Sequence, residues 1–369
     1  METNKIVVVV LLISLSPFLL LALYFFAAIF SSFIVKRPIK KSFEKLPPVT
    51  IIISCYNEEE SIMRRLESFL SEEEWIIGSE IIVFSGGSTD GTNEILRSYK
   101  DNPQITVVIE EERLSKIRSV NRAVEMAVND ILVFSDCRQA IRKGSVKNLV
   151  ANFSDSDVGT VTSRLVSNIT PEKPSIRTLL NQISICESKS GSCLNVFGAL
   201  YAQRKSVFRK IPENLLFDDL FVVVSTLTQK KRLVMEPEAV LFDVPFEIYY
   251  KADRIKRLTR GLLIFLTYHF SLIWTLRFWT FLRFMIFKYV KLALPLSILF
   301  SLVCLGILAF STTWNYIEFI SVIAILLSLL VLAKYVIHFL AINFYMLIAT
   351  IGFYFLNEKS NSWNKLKVK

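Results

Sequence analysis

Short runs of β-branched residues, each closing on a polar tip, recur through the middle of the chain at Val49–Ser54, Glu80–Ser85, Ile105–Glu110 and Ile131–Ser135. Between them, apolar residues return every three or four positions at Glu59–Leu70, Thr92–Lys100 and Ile117–Val128, which is the helical period. Strand-then-helix alternation predicts βαβ units, hence an α/β fold with a doubly wound, mainly parallel sheet. Thr89-Asp90-Gly91-Thr92 supplies N-cap chemistry for the second helix. Past Asp136 the alternation is less regular. It predicts helices at Ser175–Glu187 and Asp219–Thr228, and strands at Gly198–Gln203, Arg232–Glu236 and Ala239–Asp243.

Longer apolar segments flank this domain. Ile6–Val35 holds one proline and no charge, and Leu292–Phe310, Ile317–Leu332 and Val336–Leu356 follow near the other end. A spanning helix needs about 20 apolar residues. The N-terminal run is too long, and too poor in preceding positive charge, for a cleaved signal peptide, so an anchor is expected. The pattern divides the chain into an anchor (1–35), a basic linker (36–48), a central α/β domain (49–247), a basic and aromatic interfacial region (248–285), about three C-terminal spans (286–357) and a basic tail (358–369).

Hydrophobic residues make up 52% of the 369, and the net charge is +10. Placement of the charge matters more than its size. Lys36, Arg37, Lys40, Lys41 and Lys45 follow the first span, and only Lys5 precedes it. That asymmetry predicts an integral membrane protein with its N-terminus outside and its central domain in the cytoplasm. The lysines gather at membrane boundaries, where anionic lipids account for them, and nucleic acid is not an expected partner. The five cysteines form no CxxC pair and are expected as free thiols. Both histidines, His269 and His338, lie in apolar sequence, which disfavours histidine-based metal or acid–base chemistry.

The strand tips carry the candidate chemistry. An apolar strand ending in Cys55-Tyr56-Asn57-Glu58, then one ending in a glycine-rich turn before a helix, is how an α/β sheet builds a nucleotide pocket. Tyr56 is placed to stack on a planar base or to serve as a rim aromatic. Glu58 is either a ligand or the cap of the next helix. Ser88, Thr89 and Asp90 offer hydroxyls and a carboxylate to a ribose or base, compatible with a capping role. Lys116 opens a helix, either toward a nucleotide or as a solvated lysine.

These pieces occur in order with Gly87-Ser88-Thr89-Asp90-Gly91-Thr92, Lys116 with Asn121, Ser135-Asp136, Gly198–Ala202, Asp218-Asp219, and Arg254 with Arg257. Together they resemble the membrane-anchored family 2 glycosyltransferases of GT-A fold, over Val49 to about Gly261. The resemblance implies a nucleotide-sugar donor, with a UDP-sugar favoured, and inversion at the anomeric carbon. It implies donor binding by Tyr56, Asn57, Glu58, Ser88, Asp90, Lys116, Asp136, Arg138, Arg254 and Arg257. Asp136 stands at the first position of the family's D-x-D metal motif, so Mg2+ or Mn2+ is the expected cofactor. The chain reads Asp136-Cys137-Arg138, so the second carboxylate is absent, and an arginine there suits direct contact with a diphosphate. Asp219 is expected as the base that takes the acceptor proton, with Asp218 orienting it. Arg254 and Arg257 lie where processive members carry Q-x-x-R-W, of which only the arginine is kept. Gly86 stands where members often carry an acid.

The expected partners are a nucleotide-sugar donor, a glycan or lipid acceptor, and membrane lipids. The alternatives are a catalytically inactive scaffold of the same fold and a polyprenyl-phosphate sugar synthase. A transporter is disfavoured, because the predicted spans contain no Asp or Glu near their centres. Their few polar residues, Ser297, Ser301, Ser321, Ser328 and Asn343, do not suggest a wide polymer channel.

Overall fold

A computed structural model describes residues 2–166, 175–216, 218–242, 248–311 and 333–355. The chain divides into two compact units, each described by itself. One comprises Ala27–Phe246, His269–Arg277 and Asn361–Lys369; the other comprises Met1–Phe26, Glu247–Tyr268 and Phe278–Ser360.

After an opening helix α1 (Glu2–Ile34), the chain runs β1 (Val49–Cys55), α2 (Glu59–Leu70), β2 (Glu80–Gly86), α3 (Thr92–Arg97), β3 (Ile105–Glu110), α4 (Lys116–Met126) and β4 (Ile131–Ser135). It continues through α5 (Ser145–Ala151), β5 (Val158–Val166), α6 (Ile176–Ser190), β6 (Leu200–Arg204), α7 (Asp219–Thr228) and β7 (Arg232–Phe242). The 7-stranded sheet has the order β3-β2-β1-β4-β6-β5-β7. β3, β2, β1 and β4 are parallel, β6 runs antiparallel to both β4 and β5, and β5 pairs parallel with β7. The mainly parallel sheet is therefore as expected, with one reversed strand inside it. The chain winds outward from β1 through β2 to β3, then returns to place β4 on the other side of β1. That reversal opens a crevice at the carboxyl ends of β1 and β4, where α/β proteins bind ligands.

The Ile- and Val-rich tracts form strands because both faces of this sheet are covered. On one face Ile51, Ile53, Ile81, Val83 and Val133 join Ile62, Leu66 and Phe69 of α2 in the main core. On the other, α4 packs against β1 and β2, burying Ile117, Val120, Ala123 and Val124. The basic linker is tied to this unit. Arg37 N–H donates to the Lys189 carbonyl at 2.8 Å, and Lys41 Nζ lies 3.0 Å from the buried Glu236 carboxylate.

Two departures from the sequence pattern have physical causes. β5 gives no apolar alternation because its buried positions include Thr160, Thr162 and Ser163. Their hydroxyls are satisfied internally: Thr160 meets Thr226 at 2.7 Å, Ser163 donates to the Leu200 carbonyl at 2.7 Å, and Thr162 accepts from Phe197 N–H at 2.9 Å. β7 is one strand where two were predicted, Arg232–Glu236 and Ala239–Asp243. Its pairing with β5 jumps from Met235 to Val240 while β5 advances from Thr162 to Arg164. The excess residues bulge outward with Pro237, which cannot donate to a ladder. Arg164 Nε covers the Pro237 carbonyl at 3.1 Å.

The other unit contains the first part of α1, most of α8 (Ile248–Trp274), α9 (Phe278–Met285), a π-helical stretch (Ile286–Val290), α10 (Lys291–Ser311) and α11 (Ala333–Phe355). Pro17 interrupts the hydrogen bonding of α1, and the Ser16 hydroxyl donates to the freed Ile13 carbonyl at 2.7 Å. Ser14 and Ser301 hydroxyls meet at 2.7 Å, and Tyr24 stacks on Phe287 at 5.3 Å. Among the described residues, two helical stretches are long and apolar enough to cross a membrane, Val9–Ile34 and Phe278–Cys304. The second begins earlier than the predicted Leu292–Phe310, because α9 and α10 run on through the π-helical stretch. Phe339–Phe355 is a shorter apolar helix. The predicted span Ile317–Leu332 and the basic tail lie outside the described residues. α8 loses helical geometry at His269, with φ −127° and ψ 20°.

One buried side chain fixes the approach to the site. Asn121 of α4 donates from Nδ2 to the Ile211 carbonyl at 2.8 Å and accepts Ile211 N–H at 2.9 Å. It thus pairs with the backbone as a neighbouring strand would, holding the segment between β6 and α7. Asn121→Ala removes both bonds and leaves buried backbone groups unsatisfied. It is expected to lower unfolding stability by about 2 kcal/mol, measured as a shift in the denaturation midpoint of the purified chain.

Candidate active site

The crevice is lined by loops that the sequence makes rigid. Asn57 sits at φ +51°, a conformation that asparagine tolerates. Its N–H donates to Ser88 Oγ at 3.1 Å, and its side chain accepts Thr89 N–H at 2.8 Å. Glu58 N–H donates to Thr92 Oγ1 at 2.7 Å, and Asp90 accepts Thr92 N–H at 3.1 Å. Ser85 Oγ reaches Ser88 Oγ at 2.9 Å and Asn93 Oδ1 at 2.6 Å. The structure thus joins the tip of β1 to the turn after β2, as the two motifs predict. Asp90 serves its helix start, compatible with an added ligand role.

Glycine at 87 is required twice over. Its φ is +70°, and a Cβ there would lie 2.7 Å from the Glu112 carbonyl carbon. A Cβ at Gly86 would press within 3.1 Å of the Leu114 carbonyl oxygen. A side chain at 86 would therefore crowd Leu114. The same loop carries Arg113, whose guanidinium lies over the Tyr56 ring at 3.0 Å from its centroid. Nothing in the sequence marks Arg113, since it lies in a polar loop without a motif.

Glu58 stands at the N-cap position of α2 but makes no side-chain capping bond; its carboxylate accepts Arg138 Nε at 2.9 and 3.0 Å. Arg138 is therefore engaged through Nε with an acid after β1's tip. Lys116 is not a solvated lysine. Its Nζ donates to Asp136 Oδ1 at 2.8 Å. Burial alone would lower the Lys116 pKa, but the charges of Asp136, Asp218 and Asp219 outweigh it and raise the ammonium above its usual range. Lys116 stays protonated at every physiological pH.

Asp218 precedes α7 and is buried, with no side-chain cap bond. Asp219 opens α7. Its carboxylate rests on Gly198, where a Cβ would lie 2.0 Å from Asp219 Oδ1. Glycine at 198 is therefore what lets the acid approach the strand leading into β6. Tyr201 of β6 stacks on Phe134 of β4 at 4.6 Å with planes 16° apart. Arg254 and Arg257 lie on α8 in the other unit and are described there alone.

For Mg2+ or Mn2+ the donor set is poor. Asp136 is committed to Lys116, the position two residues on is Arg138, and no cluster of three or more His, Cys, Asp or Glu suited to a metal occurs among the described residues. Asp136 is the carboxylate of the expected motif that would meet a divalent cation.

Gly198→Ala forces the added methyl against the Asp219 carboxylate. A cost of about 1–3 kcal/mol in stability is expected, largely relieved in Gly198→Ala with Asp219→Ala, as thermal melts of both variants would report. Lys116→Met leaves Asp136, Asp218 and Asp219 without their cation. The Asp136 side chain is 34% exposed, so water screens part of the loss, and about 1–2 kcal/mol is expected at pH 7. Wild-type Lys116 keeps its charge throughout, so the deficit belongs to the carboxylates. Thermal melts of wild type and Lys116→Met at pH 7 would show it.

Comparison with known proteins follows this geometry. Residues 50–212 match the profile of glycosyl transferase family 2. The poly-beta-1,6-N-acetyl-D-glucosamine synthase of Staphylococcus aureus (strain COL) is 24% identical over 207 residues, covering 53% of this chain and 50% of that protein. The synthase of the same name from Staphylococcus epidermidis is 24% identical over 197 residues, covering 50% of this chain and 47% of that protein. The chain therefore spans about half the length of the curated relatives it matches. Among solved structures, a mannosyltransferase from Pyrobaculum calidifontis in complex with GDP-Man and Mn2+ superposes with a TM-score of 0.76 at 21% identity, covering 96% of this chain and 99% of that one. That likeness shows a shared GT-A-like fold. Over residues 50–212 the chain is thus similar to glycosyl transferase family 2, on a sheet of GT-A-like fold.

Proposed function

We propose that this chain is a membrane-bound inverting glycosyltransferase. It transfers a sugar from a nucleotide-sugar, with UDP favoured as the nucleotide, to a glycan or lipid acceptor at the cytoplasmic membrane face. The observation that carries this reading is the meeting of Lys116 with Asp136 at the mouth of the sheet, with Asp218 and Asp219 close enough to raise the lysine's pKa. The relatives support it: one is a polysaccharide synthase and the structural neighbour was solved with a nucleotide-sugar. Two candidate spanning helices and the basic linker support attachment to a membrane.

In this reading the donor nucleoside lies over the β1 and β2 tips. Tyr56 and Arg113 offer a flat face to the base, and Asn57, Ser88 and Asp90 meet the ribose or base. Lys116 supplies permanent positive charge toward the diphosphate and orients Asp136. Arg138 shares its guanidinium between Glu58 and the donor. A leaving diphosphate gains negative charge as the glycosidic bond breaks, and a preorganised ammonium stabilises that charge without reorganisation. Asp219 removes the acceptor hydroxyl proton as the oxygen attacks the anomeric carbon from the opposite face. Asp218, buried behind it, holds that carboxylate's setting.

An inactive scaffold is the competing reading, favoured by one observation: Arg138, in place of an acid, is paired with Glu58. Membranes containing the protein, supplied with labelled UDP- and GDP-sugars in Mg2+, Mn2+ or EDTA, separate the two. Incorporation from one donor is expected, falling by at least about 100-fold in Asp219→Asn. Unchanged incorporation in that variant would remove Asp219 from the mechanism. Neither incorporation nor nucleotide release from any donor would favour the scaffold. Product size would separate single addition from polymer synthesis.

A further inference from the structure

β6 alternates as a strand must. Leu200 and Ala202 face the main core, so Tyr201 points to the opposite face, where it is fully buried. Its ring is fixed by Phe134, which stacks in turn on Phe208 at 6.1 Å. The ring's polar end has no such anchor. Tyr201 Oη is buried and has no hydrogen-bond partner among the described residues. A buried hydroxyl left unpaired is costly, and native structures seldom keep one without a use.

The charges around that hydroxyl indicate the use. Burial pushes the phenol's pKa well up, and Asp218, then Asp219 and Asp136, push it further. The phenol therefore keeps its proton and acts as a donor, facing carboxylates that only accept. Asp218 has the largest influence of the three and is itself buried, and its side chain is not spent on capping α7. The other charged groups of this cluster are Asp219 on the same helix, Asp136 after β4 and Lys116 on α4. Gly198, three residues before Tyr201, already shapes the position of Asp219.

We propose that the Tyr201 hydroxyl donates to the Asp218 carboxylate when the site is working, making Tyr201 a positioning residue for the Asp218–Asp219 pair. The segment entering β6 would then set both acids, Gly198 by leaving room and Tyr201 by donating a proton. This rests on the glycosyl-transfer reading above.

Tyr201→Phe keeps the aromatic stack and removes only the oxygen. In the full-length protein, kcat for sugar transfer is expected to fall about tenfold, with the donor KM within about twofold. Asp218→Asn should show a comparable loss, and the double variant should be no worse than Asp218→Asn alone. Wild-type kcat in Tyr201→Phe, or losses that multiply in the double variant, would overturn the proposal. A second measurement does not need turnover. In full-length protein labelled at tyrosine Cζ with carbon-13, the Tyr201 resonance is identified by its loss in Tyr201→Phe. It should move more in Asp218→Asn than in Asp136→Asn, and the reverse order would overturn the contact. A wild type that transfers no sugar would sink the functional reading and leave this spectrum to decide the Tyr201–Asp218 bond.

Discussion

The Lys116–Asp136 ion pair is the contact on which the site's arrangement depends. It joins the first residue of α4 to the residue after β4, at the point where the sheet's winding reverses. Asp218 and Asp219 add their field to the same ammonium. Carboxylates that share one cation's field repel one another. A permanently charged lysine among them keeps all three acids compatible with one small volume.

Around that pair the site is rigid because backbone and side chain exchange partners across loops. Asn57, Ser88, Thr89, Asp90 and Thr92 form one hydrogen-bonded web between two strand tips. Glu58 and Arg138 close the other side. Close approach does the remaining work, at Gly87 against residues 112–113 and at Gly198 against Asp219. A pocket built this way has little reorganisation left to perform when a charged ligand arrives.

Much of this was legible in the sequence. β1 to β4 and the helices between them follow from uninterrupted apolar runs and a clear 3.6 period. The acidic pair and Lys116 follow from the order of motifs. What was not legible has a common cause, namely polar groups satisfied at a distance. β5 hides behind threonines and a serine whose partners lie on α7 and at the edges of β6. β7 reads as two strands because Pro237 interrupts it, and only the pairing with β5 reveals the bulge. Glu58 was open between a cap and a ligand until Arg138, 80 residues on, settled which group it meets. Arg113 and the hydroxyl of Tyr201 carry no local signal, since their significance lies in what they face.

The Asn121 clamp has a consequence for how this domain can change. It makes the segment around Ile211 behave as an extension of α4, though some 90 residues separate them. Lys116 sits at one end of that helix, and Asp218 and Asp219 follow the clamped segment. Lys116 and the acid pair therefore belong to one mechanical part. Any recombination between relatives that exchanges residues 205–219 without 116–126 would separate matched halves, so these two stretches should be inherited, or grafted, as a single cassette.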